Sequence, residues 1–144
     1  MPRIVLLVLM IIGTSNQFDS KLEGKWKMHE VEAFLNILTS ETYLIGTDEQ
    51  KTKLAETFQF ALDSTFYHFK NDSVYFTDAG PDNIVKHKTG KWLINSDTLI
   101  IFESGKIKVH RFLIDKLTEE ELKVYMVLSD EVISRSSVTF KKVK

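Results

Sequence analysis

The residues that could do chemistry are few and scattered. The four histidines are His29, His68, His87 and His110, and no two stand at a metal-ligand spacing such as His-x-x-x-His. They read as surface histidines, and no metal is implied. The chain has no cysteine, which excludes disulfides, thiolate metal sites, thiol nucleophiles and a lipid-modified cysteine anchor. Carboxylates at Asp63, Asp78, Asp82 and Glu103 show no spacing that marks an acid–base pair. Arg135, set among Ser134, Ser136 and Ser137, is able to hold an anion near the end of a strand, but an exposed sheet-face arginine is the simpler reading. Glu119-Glu120-Glu121 reads as a solvated turn. Asn71-Asp72-Ser73 matches a glycosylation sequon, yet turn chemistry already accounts for all three residues. The expectation is a protein without catalysis and without a cofactor.

Composition narrows the classes further. A chain of 144 residues with 43% apolar and 27% charged residues is of a size and mix suited to one folded domain. Nineteen basic against twenty acidic residues leave a net charge of −1. That balance lacks the basic excess needed to neutralise phosphates, so no nucleic-acid partner is expected.

The first residues read as an address. Met1-Pro2-Arg3 is a short basic start, Ile4 to Ile12 is uninterrupted apolar sequence, and Gly13-Thr14-Ser15 supplies small residues. This is the order of a secretory signal peptide, expected over residues 1–17 with cleavage between Ser15 and Gln17. The apolar run is far short of the roughly 20 residues that span a bilayer. No later run is longer, so no transmembrane anchor is expected in the mature chain, and its destination is a periplasm or the cell exterior.

The elements that would position any site follow from period-2 alternation over residues 18–144. Thr65 to Lys70 and Ser73 to Asp78 flank Asn71-Asp72, a pair suited to a type I′ hairpin turn. That turn sets Phe69 opposite Val74 and Tyr67 opposite Phe76 on one inward face. A second hairpin turns at Ser96-Asp97 and pairs Ile94 with Leu99 and Trp92 with Ile101. A strand follows over Lys106 to Asp115, with a bulge expected because Ile107/Val109 and Phe112/Ile114 differ in parity. Leu122, Val124, Met126 and Leu128 alternate next, and the last strand runs from Val132 to Val143 with Val138 and Phe140 as its apolar pair. At the front, Gly24 to Phe34 reads as a strand bulged near His29-Glu30. One helix is predicted at about residues 47–62, from a Thr47–Gln50 capping box and apolar Leu54, Phe58, Ala61 and Leu62. Leu35 to Gly46 carries no clear pattern. About eight short antiparallel strands are expected in an all-β fold. Closing them into an up-and-down barrel removes both sheet edges.

Gly-x-Trp occurs twice: Gly24-Lys25-Trp26 opens the first strand and Gly90-Lys91-Trp92 lies in a central one, running on through Leu93-Ile94-Asn95-Ser96-Asp97 to Thr98-Leu99-Ile100-Ile101. With the hairpin order, and with Phe112 to Leu122 looking like the family's final hairpin, this resembles the lipocalin-like proteins of exported bacterial origin within the calycin group. The resemblance covers roughly Leu22 to Lys142. It implies an eight-stranded antiparallel lipocalin-like barrel in which Trp26 packs across the closed end. Many lipocalins place an arginine over that indole, where Lys141 or Lys142 stands here, and the helix between the first two strands is an addition to the usual plan.

All ten Phe, four Tyr and two Trp lie beyond the apolar leader. An eight-stranded barrel is just wide enough to be filled by its own side chains or to hold one small ligand. Both readings stay open from sequence. In the first, a small hydrophobic ligand is held by Tyr67, Phe69, Val74, Phe76, Trp92, Ile94, Leu99, Ile101, Val124, Met126 and Phe140. In the second, a solid barrel serves as a cell-envelope interaction or inhibitor module, with Leu35–Gly46 and the helix after it as the contact surface.

Overall fold

The computed structural model describes residues 17–80, 82–129 and 132–144. The expected export segment therefore lies outside the described residues, save Gln17. A short helix, α1 (Gln17–Leu22), leads into strand β1 (Gly24–Val31). Three further helices follow: α2 (Glu32–Leu38), α3 (Glu41–Leu44) and α4 (Asp48–Ser64). The rest of the chain is a meander of β2 (Phe66–Lys70), β3 (Ser73–Ala79), β4 (Val85–Asn95), β5 (Thr98–Glu103), β6 (Val109–Leu117), β7 (Glu121–Ser129) and β8 (Val132–Lys142). Each strand pairs antiparallel with the next, and β1 pairs with β8, so the sheet is a closed eight-stranded barrel.

The hairpin registers are those the alternation demands. Tyr67 faces Phe76, Phe69 faces Val74, Trp92 faces Ile101 and Ile94 faces Leu99. The turn at Asn71-Asp72 departs from the expected type I′, and the one at Ser96-Asp97 shares its form. Asn71 (φ 53°) and Ser96 (φ 57°) take positive φ while Asp72 and Asp97 do not. Positive φ at the first central residue alone is the II′ sense, which matches strand twist as well as I′ does.

Three expected boundaries move. The first strand stops at Val31, because Glu32–Leu38 coils into α2 and turns Phe34 onto Phe58 of α4, ring centroids 4.0 Å apart and nearly parallel. The bulge in β1 lies between Met28 and Glu30, where it was expected. In β6 the strand begins only at Val109. Its irregularity falls between Ile114 and Lys116, which keeps Phe112 and Ile114 inward and then brings Leu117 in as well. The predicted helix runs two residues further, to Ser64, and its capping box is formed: Thr47 Oγ1 accepts from Gln50 N while Gln50 Oε1 accepts from Thr47 N.

One end of the barrel is sealed by α1. Leu22 and Trp26 are fully buried, and the Trp26 indole N–H donates to the Leu22 carbonyl at 2.7 Å. Lys142, opposite Trp26 in the β1–β8 register, lays its ammonium 5.1 Å from the indole ring centre and donates to the Lys21 carbonyl. The cation–π contact and the capped carbonyl let a lysine fill the place where an arginine is usual. Gly24 makes this possible twice over: its φ of 119° is a glycine conformation, and a Cβ there would stand 2.7 Å from Lys142 Cε. Trp26→Ala is expected to cost about 3–5 kcal/mol in urea unfolding. Leu128→Ala, at a side chain that is 62% exposed, is expected to stay within about 0.5 kcal/mol of the parent.

Candidate functional site

The barrel interior divides into two halves. Toward the sealed end, Trp26, Tyr67, Phe69, Leu99, Leu122 and Val124 leave a space of only about 10 Å³ between them, no more than one water needs. Toward the other end, where the connections β1–β2, β3–β4, β5–β6 and β7–β8 gather, a cleft of about 430 Å³ opens. The barrel is thus solid below and hollow above.

Tyr67 sits at the division and borders both spaces. Its ring stacks on Phe76 at 5.3 Å and meets the edges of Phe112 and Phe140 at 6.1 and 5.5 Å, an aromatic floor with the offset and T-shaped geometries that such rings prefer. Burial, with Asp78 nearby, pushes the Tyr67 phenol up, so it remains protonated across the physiological range.

Of the residues expected to line a ligand site, Tyr67, Phe76, Met126 and Phe140 border the cleft. Met126 is at the rim, 44% exposed. Phe69, Leu99 and Val124 border the small lower space, while Val74, Trp92, Ile94 and Ile101 pack into the core around it. Trp92 meets Phe69 edge-on at 5.3 Å, and its buried indole N–H has no hydrogen-bond partner among the described residues. These seven residues build the plug beneath the cleft. Alternation tells inside from outside but not height along the barrel, and height is what separates plug from cleft.

The upper walls come largely from residues outside the expected ligand-holding set: Met28, Val31, Phe112 and Val138 from strands, with Phe34 of α2 and Ala61 of α4 as a roof. The roof is tied down. Met28 N donates to Thr65 O at 2.9 Å, and buried Thr77 donates to Ser64 O while accepting from Phe66 N. Glu32 Oε2 accepts from both the backbone N and the hydroxyl of Ser137 at 2.8 and 3.0 Å. Those two donors hold the Glu32 carboxyl below the usual carboxylate range and fasten α2 to β8.

One side of the rim is charged. Glu103, 5% exposed, accepts from His110 Nε2 at 3.0 Å and lies 3.0 Å from Lys106 Nζ and 3.5 Å from Lys88 Nζ. Lys88, with only 12% of its side chain exposed, also reaches Asp78 at 3.3 Å. The His110 hydrogen bond first, then the two ammonium groups, bring the Glu103 pKa down to about 2 against the burial that opposes them. Parity carried a signal for this cluster. Asp78 continues Val74 and Phe76, Lys88 precedes Gly90 and Trp92, Glu103 follows Leu99 and Ile101, and His110 precedes Phe112 and Ile114, each on the inward alternation. His110 is therefore an interior wall residue rather than a surface one. Arg135 is exposed and does not border the cleft. Glu121, expected in a solvated turn, instead pairs with Lys141 and Lys116. Among the described residues, no group of three His, Asp or Glu is placed to hold a metal.

A family model for the lipocalin-like domain matches residues 22–124. This chain belongs to the lipocalin-like domain family. No curated protein matches it. Among solved structures, a lipocalin-like protein from Bacteroides uniformis is 16% identical with a TM-score of 0.52, covering 85% of this chain and 99% of its own. An uncharacterised protein from Bacteroides eggerthii is 13% identical with a TM-score of 0.49 over 84% and 98%. Fatty-acid-binding protein 1 of Echinococcus granulosus is 16% identical with a TM-score of 0.39 over 87% and 99%. At this identity the likeness to the Bacteroides uniformis protein concerns the fold alone.

Because the folded pKa of Glu103 lies below its ordinary 4.5, its contribution to stability is complete above about pH 4.5 and is lost as pH falls toward 2. Glu103→Gln is expected to flatten that acid limb in a pH series of thermal melts. At neutral pH it should lower stability by about 2 kcal/mol, since Lys88 loses a buried partner.

Proposed function

We propose that this lipocalin-like protein is exported and carries a small hydrophobic molecule, without catalysis, in the upper half of its barrel. The observation that carries the reading is the cleft of about 430 Å³, walled by Phe76, Phe112, Phe140, Met28, Met126 and Val138. Its volume falls within the roughly 300–1,000 Å³ of small-molecule sites, and its lining is mainly apolar with a few polar groups at one side, as such sites are. The solid plug below, through Trp92, Ile101 and Phe69, gives the ligand a rigid floor. Export rests on the basic start, the apolar run and the small residues of positions 1–15. Membership of the lipocalin-like domain family and the mainly apolar lining of the cleft support a carrier over an enzyme.

The test is occupancy. A neutral naphthylamine fluorophore, N-phenylnaphthylamine, is expected to brighten on binding the protein, and Ala61→Trp, which fills the roof of the cleft, should weaken that binding about tenfold while the fold persists by circular dichroism. Unchanged affinity in Ala61→Trp would move the ligand out of this cleft. For export, the intact mass of protein recovered from its host's envelope or medium should lack the first 15–17 residues; a full-length mass there would defeat the signal-peptide reading.

A further inference from the structure

The helical roof has two faces, and only one meets the cleft. Phe34 and Ala61 border the cleft from α2 and α4, yet no residue of α2, α3 or α4 is fully buried. Leu35, Ile37, Leu44 and Ile45 stand 46, 42, 60 and 79% exposed, and none of the four borders the cleft. Large apolar side chains gathered on one surface, rather than scattered singly, mark a docking face. Two depressions run along α4 on this side. One, of about 280 Å³, is walled by Ile37, Tyr43 and Leu54. The other, of about 260 Å³, is walled by Leu35, Leu38 and Leu62 with the Phe34–Phe58 stack. On α4 the first begins at Gln50 and the second ends at Leu62. Together they follow the helix for about 18 Å at its rise of 1.5 Å per residue, the length of about three turns of a partner helix.

Charge decides what fits. Residues 30–64 hold seven carboxylates against two lysines, in a chain whose net charge is only −1. Glu32 is claimed by Ser137 and Asp63 by Lys27. The other five, Glu30, Glu41, Asp48, Glu49 and Glu56, make no ion pair among the described residues. Lys51 does not neutralise them, since its ammonium lies over the Tyr43 ring, 5.9 Å from the centre. Glu30 lines the second depression itself.

We propose that the outer face of the roof docks a basic amphipathic helix of a partner protein. Its apolar side chains, spaced i, i+3, i+4 and i+7, enter the two depressions, and its lysines or arginines face the unpaired carboxylates. A second copy of this chain would bring one acidic roof against another, and a bilayer of anionic headgroups would meet the same repulsion. This surface is separate from the cleft, so the inference stands apart from the carrier reading.

The test uses two fluorescein-labelled peptides with leucine at those spacings, one with lysine and one with glutamate at every other position, titrated against the full chain by fluorescence anisotropy. The lysine peptide is expected to bind at least tenfold more tightly than the glutamate peptide, with an advantage that shrinks as salt is raised. Leu35→Lys and Glu56→Lys, both at exposed side chains, should each weaken the lysine peptide about tenfold while circular dichroism stays that of the parent. Glu119→Lys, in the β6–β7 turn at the sealed end, changes the net charge equally and should leave that affinity unchanged. Equal binding of the two peptides, or no binding by either, would overturn the proposal. So would equal losses in Glu56→Lys and Glu119→Lys, which would reduce the attraction to net charge. Sedimentation of the chain with neutral phosphatidylcholine vesicles, abolished by Leu35→Lys, would give the face to a lipid surface instead.

Discussion

The pairing of β1 with β8 is the constraint on which the rest of this molecule depends. Without it the eight strands would be a curled meander with two unpaired edges, and inside and outside would not be defined at the seam. Closure turns the pleat into a rule, because every second residue around the ring must now share one enclosed space. The seam is held where closure is hardest, at the first and last strands. There Trp26, Leu22 and Lys142 interlock by a hydrogen bond, a cation–π contact and a glycine that lets the lysine stem pass.

Within that ring, height replaces sequence parity as the variable that matters. One inward alternation carries Val74, Phe76 and Asp78 in turn along β3, and another carries Leu99, Ile101 and Glu103 along β5. Low in the barrel these positions fill space and exclude water. At the rim the same positions are ionised, where Glu103 is affordable only because His110, Lys88 and Lys106 surround it. Tyr67 marks the crossover, with rings packed against it on several sides and a phenol that stays neutral.

The barrel was legible because two-residue turns fix register, so Asn71-Asp72 and Ser96-Asp97 bring Tyr67 to Phe76 and Trp92 to Ile101 with no further information. What was not legible depends on partners far away in sequence. Val31 to Phe34 alternates like a strand, but Phe34 is drawn into α2 by Phe58, some two dozen residues on, and Glu32 is claimed by Ser137 at the other end of the chain. The division of the aromatic residues between plug and cleft escaped for the same reason: it is set by how strands are staggered around a closed ring. Lys88, Glu103 and His110 were within reach, since their parity matches that of the apolar residues beside them. A charged side chain at the inward end of a strand is easily mistaken for the start of a loop.

The helical roof between β1 and β2 has a kinetic consequence. Strands β2 to β8 each meet their next partner after a short connection, so they can zip in order with little entropy lost per step. β1 is separated from β2 by three helices, and its other partner, β8, is the last strand in the chain. That separation predicts a seam that closes late, so that weakening it would speed the barrel's unfolding more than it would slow its formation. On that order, the persistence of the barrel, more than its assembly, would be written into Trp26 and Lys142.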